Sequence, residues 1–277
     1  MAEMTATPVR TQGFYLSGKW IEEGTPVEIH APYDGTPLAQ VFQGTRDHAE
    51  RAIQAAARAF GSTRRLPAFE RQRVLRSIAQ QITSRKEEFA RTLAQESGKP
   101  LKQARTEVER GVFTFTIAAE ETTRIPGEYL SLDWQQFTSG RWGIVRRFPL
   151  GPIVGITPFN FPLNLVAHKV APAIASGCPI ILKPAPQTPL TAFLLAETVE
   201  QAGLPDGAFQ VLPLSNEDAS LLVTDDRIKL ISFTGSAPVG WTSSAARGRK
   251  RLCSSWVETL GSLCIVTQIS PGLRSDA

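Results

Sequence analysis

The sequence predicts an α/β protein in which a doubly wound parallel sheet is the main layer. Three observations carry that expectation. The stretch 151–183, GPIVGITPFNFPLNLVAHKVAPAIASGCPIILK, reads as apolar run, turn, apolar helix and second apolar run. Both runs, Pro152–Ile156 and Pro179–Leu182, are apolar throughout rather than alternating, which suits strands covered on both faces by helices. The segment 231–240, ISFTGSAPVG, then supplies another strand that ends in a glycine-containing turn. Sheets of this kind bind ligands at the carboxyl ends of their strands.

The chain opens with a polar stretch, residues 1–12, expected to be loose. From Gly13 to Gly44 apolar and polar residues alternate between turns at Ser17-Gly18, Glu23-Gly24 and Tyr33-Asp34-Gly35, which predicts a small antiparallel layer. Helices are expected over Asp47–Gly61, Pro67–Ser84, Arg85–Glu96 and Lys102–Thr123. Residues Glu128–Pro149 carry Trp and β-branched residues around Ser139-Gly140 and predict a β-hairpin. After the first strand–helix–strand unit come a helix over Leu190–Gly203, a strand over Phe209–Leu212, a short helix over Asn216–Asp225 and a strand over Lys229–Phe233. This alternation is what a doubly wound sheet requires. A further helix is expected to begin at Ser236, with its free N–H groups and positive dipole end turned to an anion. The expected domain limits are 1–126 for the N-terminal part of the sheet domain, 127–149 for the hairpin, 150–241 for the sheet core and 242–277 for a separate tail.

Composition bounds the function. The chain has 277 residues, 42% of them hydrophobic, enough to bury a sizeable core. No apolar run reaches membrane-spanning length, and residues 1–13 lack the apolar centre of a signal peptide, so a cytoplasmic protein without a membrane role is expected. Cys178, Cys253 and Cys264 form no metal-ligand spacing and no disulfide framework; free thiols and no metal site are expected. The formal net charge is +4, yet the residues after Trp241 supply three of those charges, with five basic residues against Glu258 and Asp276. The short basic run Gly248–Arg251 has no interleaved aromatics, which argues against nucleic acid.

At the carboxyl ends of the predicted strands stand PFNFP (158–162), ILKPAPQTP (181–189) and FTGS (233–236). Together these motifs resemble the aldehyde dehydrogenases, from about Gly13 to Trp241. The resemblance implies a Rossmann-like dinucleotide-binding domain and NAD(P)-dependent oxidation of an aldehyde to a carboxylic acid. It implies that the Asn160 side-chain amide donates to the oxygen of the reacting aldehyde, where negative charge develops; an asparagine after a proline is otherwise a turn former. Lys183 corresponds to a lysine that binds the adenosine ribose hydroxyls, and Ser236 to the residue that meets the pyrophosphate. Ile156, Thr157, Pro158, Pro186, Gly207 and Gly235 complete the expected cofactor set. Pro186 departs from the family, since many NAD-preferring members place a glutamate there that would repel a 2′-phosphate; both NAD and NADP therefore stay open. The hairpin 127–149 implies a homo-oligomer, because in the family it pairs with neighbouring subunits.

The missing motifs matter as much. Family chemistry needs a cysteine nucleophile and a glutamate base, the latter in a Leu-Glu-Leu-Gly-Gly motif some twenty residues after FTGS. Neither motif is present, and LCSSW and SLCIV resemble nothing around the family nucleophile. An inert chain of aldehyde dehydrogenase type is the first expectation, and a non-catalytic dinucleotide-binding or regulatory form the second. The tail has poor periodicity through Arg251, so the sheet is expected to end in an open edge. The codons TGC TCG AGC TGG GTG GAA ACN encode Cys253–Thr259; read from the last base of the first, they give Leu-Glu-Leu-Gly-Gly-Asn. In the same register, codons available to Leu263–Ile269 give Val-His-Arg-Asp-Ala-Asp, which is similar to the residues downstream of the motif in the family. A reading-frame change near the codons of Gly240–Ser244 is the expectation.

Overall fold

The computed structural model describes residues 10–236, and within the last forty residues the backbone of 251–257 and 262–267. Strands β1 (Arg10–Gln12), β2 (Phe14–Leu16), β3 (Lys19–Ile21), β4 (Thr25–His30) and β5 (Pro37–Gln43) precede helices α1 (Arg46–Thr63), α2 (Ala68–Ser84), α3 (Lys86–Ser97) and α4 (Leu101–Glu121). Strands β6 (Glu128–Ser131) and β7 (Trp142–Val145) pair antiparallel as a separate hairpin, with one turn of 3-10 helix at Gln136–Thr138 between them. The remainder runs β8 (Ile153–Ile156), α5 (Asn164–Ser176), β9 (Ile180–Lys183), α6 (Leu190–Gln201), β10 (Phe209–Val211), α7 (Asn216–Thr224), β11 (Leu230–Gly235), β12 (Arg251–Val257) and β13 (Ser262–Thr267). The expected helix at Ser236 falls on residues outside those described.

The main sheet has the order β13-β12-β11-β8-β9-β10-β2-β3. Strands β12, β11, β8, β9 and β10 are mutually parallel. Every residue of β9 and β10 is buried, as the unbroken apolar runs require. Helices α1 and α5 both pack against β9, and α5 and α6 in turn pack against the α2–α4 group. Phe14, Phe89, Phe115, Phe193 and Phe209 are among the largest fully buried side chains and tie these layers into one core.

Two expectations are corrected. The first strands do not form one small antiparallel layer: β2 and β3 join the main sheet, β2 pairing with β10 through Tyr15 and Val211, while β1, β5 and β4 form a sheet of their own. Phe14, Tyr15 and Leu16 are all buried, and completing the core behind β10 outweighs the local hairpin pattern. The sheet edge at β11 is not open either. Backbone pairing between β11 and β12 runs continuously from Leu230↔Arg251 to Gly235↔Trp256, β13 follows antiparallel, and Leu252 is buried in the core. The run SLCIVT is rich in residues that favour strands, a signal independent of the poor periodicity upstream.

Two buried carboxylates anchor the crossover helices. Glu107 on α4 accepts from the backbone N–H groups of Leu163 (2.9 Å) and Asn164 (3.1 Å), the first amides of α5. Glu96 on α3 accepts from Leu190 N–H (2.8 Å), Thr191 N–H (3.1 Å) and the Thr191 hydroxyl at the start of α6. Helix starts leave their first amides unpaired, and each one buried without a partner costs about 1–3 kcal/mol.

Burial pushes the Glu96 carboxyl up to about 7, the nearby Glu107 adding to the rise and the three donors opposing it. A raised folded-state pKa means that the folded chain holds this proton where the unfolded chain has released it. Stability from this group is therefore full below about pH 4.5 and declines as pH rises toward 7, by about 3 kcal/mol at most. Urea unfolding at a series of pH values is expected to show that decline, and Glu96→Gln, which mimics the protonated acid, to flatten it.

Candidate functional site

Parallel register brings one set of residues to a single edge. Ile156 at the end of β8 lies beside Lys183 at the end of β9 and beside Phe233 of β11, and Thr157 N–H donates to the Lys183 carbonyl (3.2 Å). The loop Thr157–Pro162 then runs along this edge to α5, and Gly235-Ser236 leaves it from β11. Ile156, Thr157, Pro158, Asn160, Lys183, Gly235 and Ser236 are thereby gathered at the carboxyl ends of three adjacent strands. Pro186 lies three residues beyond β9 and is exposed.

Lys183 is the principal polar group of the edge. It is 5% exposed, and among the described residues no hydrogen bond or ion pair satisfies its ammonium group. Burial alone lowers its pKa. Close by in sequence on the two loops, the side-chain oxygens of Asn160 and Thr188 are buried without a hydrogen-bond partner. Buried polar groups in folded proteins are nearly always paired, so these orphans mark a place built for something polar. Donor groups such as hydroxyls complement these oxygens. Gly235 keeps the exit from β11 narrow: a Cβ there would lie 2.6 Å from the Phe233 ring.

Gly207 does not join this group. It precedes β10, at the opposite end of the sheet, with φ +79° and the Ala55 carbonyl of α1 only 2.8 Å from where its Cβ would lie. Its requirement for glycine is the turn and the close packing on α1, and not a ligand.

Three charged residues at the edge escaped the sequence reading. Lys169, buried on the apolar helix α5, donates to the Thr234 hydroxyl (2.8 Å) and lies near that of Ser232 (3.4 Å), tying α5 to the end of β11. A lone lysine inside VAHKVAP was the available signal. Lys99 pairs with Glu107 and donates to the Asn160 carbonyl (2.9 Å), with its ammonium 4.8 Å from the Phe161 ring centroid. Nothing local in the sequence links these residues, which are separated by more than fifty positions from the loop they hold.

Cys178 is buried in the core and Cys253 is half-buried; the side chain of Cys264 lies outside the described residues. Among the described residues no cluster of His, Cys, Asp or Glu could hold a metal, and no helix is long and apolar enough to cross a membrane.

Comparison with known proteins places this geometry. The family model "Aldehyde dehydrogenase family" matches residues 20–266, twenty-five positions past Trp241. The chain is 37% identical over 247 residues to a 3-sulfolactaldehyde dehydrogenase of Priestia aryabhattai, covering 89% of this chain and 51% of that protein. In structure it is similar to aldehyde dehydrogenase 21 from Physcomitrella patens, solved with the reaction product succinate, with a TM-score of 0.88 and 43% identity over 90% of this chain and 52% of that one. It is also similar to the NADP-dependent glyceraldehyde-3-phosphate dehydrogenase from Bacillus halodurans complexed with NADP, with a TM-score of 0.85 and 30% identity over 89% of this chain and 52% of that one. The chain thus spans about half the length of the relatives it matches.

The lowered pKa of Lys183 is open to measurement. Competitive acetylation across a pH series, followed residue by residue by mass spectrometry, is expected to give Lys183 an apparent pKa below the ordinary lysine value. An ordinary value would mean that its ammonium group is fully hydrated.

Proposed function

Because the chain belongs to the aldehyde dehydrogenase family, we propose that it carries the dinucleotide-binding half of an NAD(P)-dependent aldehyde oxidoreductase and is itself catalytically silent. The observation that supports this reading is the buried Lys183, without a partner among the described residues, on the strand-end edge that also presents Asn160 and Gly235. Lys183 donates to the ribose hydroxyls of the adenosine, Thr157 and Pro158 shape the loop beside it, and Ser236 takes the pyrophosphate. In a complete member of the family the dinucleotide would supply the hydride acceptor for aldehyde oxidation. Asn160 donates its side-chain amide to the aldehyde oxygen as charge builds there. Pro186, exposed and uncharged, neither bonds a ribose hydroxyl nor repels a 2′-phosphate, so NADP is accepted as well as NAD. The aldehyde is left unspecified, since the chain spans about half the length of the relatives it matches.

The silence follows from residue chemistry. The motifs of both the family nucleophile and its glutamate base are absent from the sequence, and loss of such groups removes orders of magnitude in rate. The backbone pairing of β12 bears on where the expected change of frame would lie. Pairing with β11 continues to Trp256 and the family match runs to residue 266, so neither fixes where the frame changes. The alternative register begins on the last base of the Cys253 codon, so loss of one cytosine directly after that codon accounts for the missing motif. The Leu-Glu-Leu-Gly-Gly run would then fall on β12 itself, with its glutamate in the place of Ser255, opposite Thr234.

The hairpin β6–β7 supports a homo-oligomer. Tyr129, Trp134, Phe137 and Trp142 on it are each more than half exposed, more aromatic surface than a solvated hairpin needs.

Reading the gene and restoring one cytosine after the Cys253 codon tests the proposal. The repaired frame is expected to run open through Leu-Glu-Leu-Gly-Gly-Asn to a downstream cysteine, and its product to reduce NAD(P) with an aldehyde while the 277-residue chain does not. A stop codon soon after the repair, or turnover by the unrepaired chain that Asn160→Ala abolishes, would refute it.

A further inference from the structure

One buried ion pair holds the Asn160 loop from both sides. Lys99 lies between α3 and α4, and Glu107 lies on the second turn of α4; their side chains form a salt bridge with Glu107 2% and Lys99 12% exposed. Lys99 donates to the Asn160 carbonyl at 2.9 Å and stacks on the Phe161 ring. Glu107 accepts from the amides of Leu163 and Asn164 just beyond. The five residues from Asn160 to Asn164 thus have their first carbonyl and last two amides bonded to a single pair from another layer.

A helix cap alone does not require this arrangement. Glu107 by itself satisfies the α5 amides, and Lys99 adds nothing to that cap. Desolvating a lysine and a glutamate commonly costs more than their attraction returns, so a buried pair is poor stabilising material. What Lys99 does contribute is a fixed carbonyl at Asn160 and a fixed ring at Phe161. The Asn160 side-chain oxygen makes no hydrogen bond, so no partner of that oxygen holds the amide and the placement of the backbone that carries it counts for more.

We propose that Lys99 and Glu107 are positioning residues that aim the Asn160 side-chain amide at the substrate side of the sheet edge, an assignment that rests on Asn160 being the donor to the aldehyde oxygen. The pair acts through the loop and does not touch substrate. Removing Lys99 frees the Asn160 carbonyl but also takes the counter-ion from Glu107, whereas Lys99→Arg keeps the charge, so the two variants together separate aiming from folding.

The test uses the 277-residue chain and needs no turnover, so it can fail independently of the donor role. In a nitrogen-15 NMR spectrum the Asn160 side-chain amide is identified by its loss in Asn160→Ala. In Lys99→Met this pair of resonances is expected to move to the position of a freely solvated asparagine amide, and in Lys99→Arg, which keeps a charge and a donor, to stay near its original place. Glu107→Ala should in addition raise amide exchange at Leu163 and Asn164 by at least roughly tenfold, while Leu190 and Thr191, held by Glu96, keep their rates. An Asn160 pair unmoved in Lys99→Met would overturn the assignment. So would equal loss in Lys99→Arg, or comparable shifts at Leu190 and Thr191, since the effect would then not be local to the loop.

Discussion

Capping of α5 and α6 by buried carboxylates is the interaction on which the rest of this fold depends. A parallel sheet sends a helix away from the end of every strand, and each helix start needs partners for its amides. Here the partners come from α3 and α4, through Glu96 and Glu107, rather than from residues next to the helix starts. The same contacts dock the helical layer onto the sheet. They also fill two helix N-termini with protein carboxylate, so neither is free to attract a phosphate. The exit from β11 at Gly235-Ser236 carries no such carboxylate contact among the described residues.

The edge therefore divides its labour along the strand order. Lys183 at the end of β9 is a buried lysine for which no partner is found among the described residues, and Lys169 ties α5 to Thr234 beside Gly235. Asn160 stands on the loop from β8, between them in strand order. These groups thus fall on three adjacent strands in the order β11-β8-β9. Placing a glutamate on β12 opposite Thr234 would bring a base to the same edge without rearranging any strand.

Much of this was legible in the sequence because its signals are local. Unbroken apolar runs gave β8 and β9 close to their observed limits, and helical periodicity gave α1 to α7 within a few residues. PFNFP, ILKPAP and FTGS marked the strand ends, and parallel register did the gathering. Long-range pairing was not legible. Tyr15 meets Val211 across nearly the whole chain, and Glu96 and Glu107 look like ordinary surface charges on amphipathic helices until the helices they cap are docked. Gly207 shows the converse error. A glycine beside a strand is compatible with either a ligand or a tight turn, and only its position before β10, with Ala55 against it, decides for the turn. Strand β12 was missed because its partner β11 lies across a segment whose sequence gives no continuous pattern.

The central claim is that the strand-end edge bearing Lys183 and Gly235 is a dinucleotide site within this chain. Titrating ADP into the labelled protein and following its backbone amides by NMR tests it most directly, since even millimolar binding is visible and no chemistry is needed. The account predicts graded shifts at Thr157, Lys183, Gly235 and Ser236, reduced in Lys183→Ala, with Gly207 and Ala55 unmoved. Absence of shifts at that edge up to tens of millimolar ADP, or shifts centred on Gly207, would contradict it.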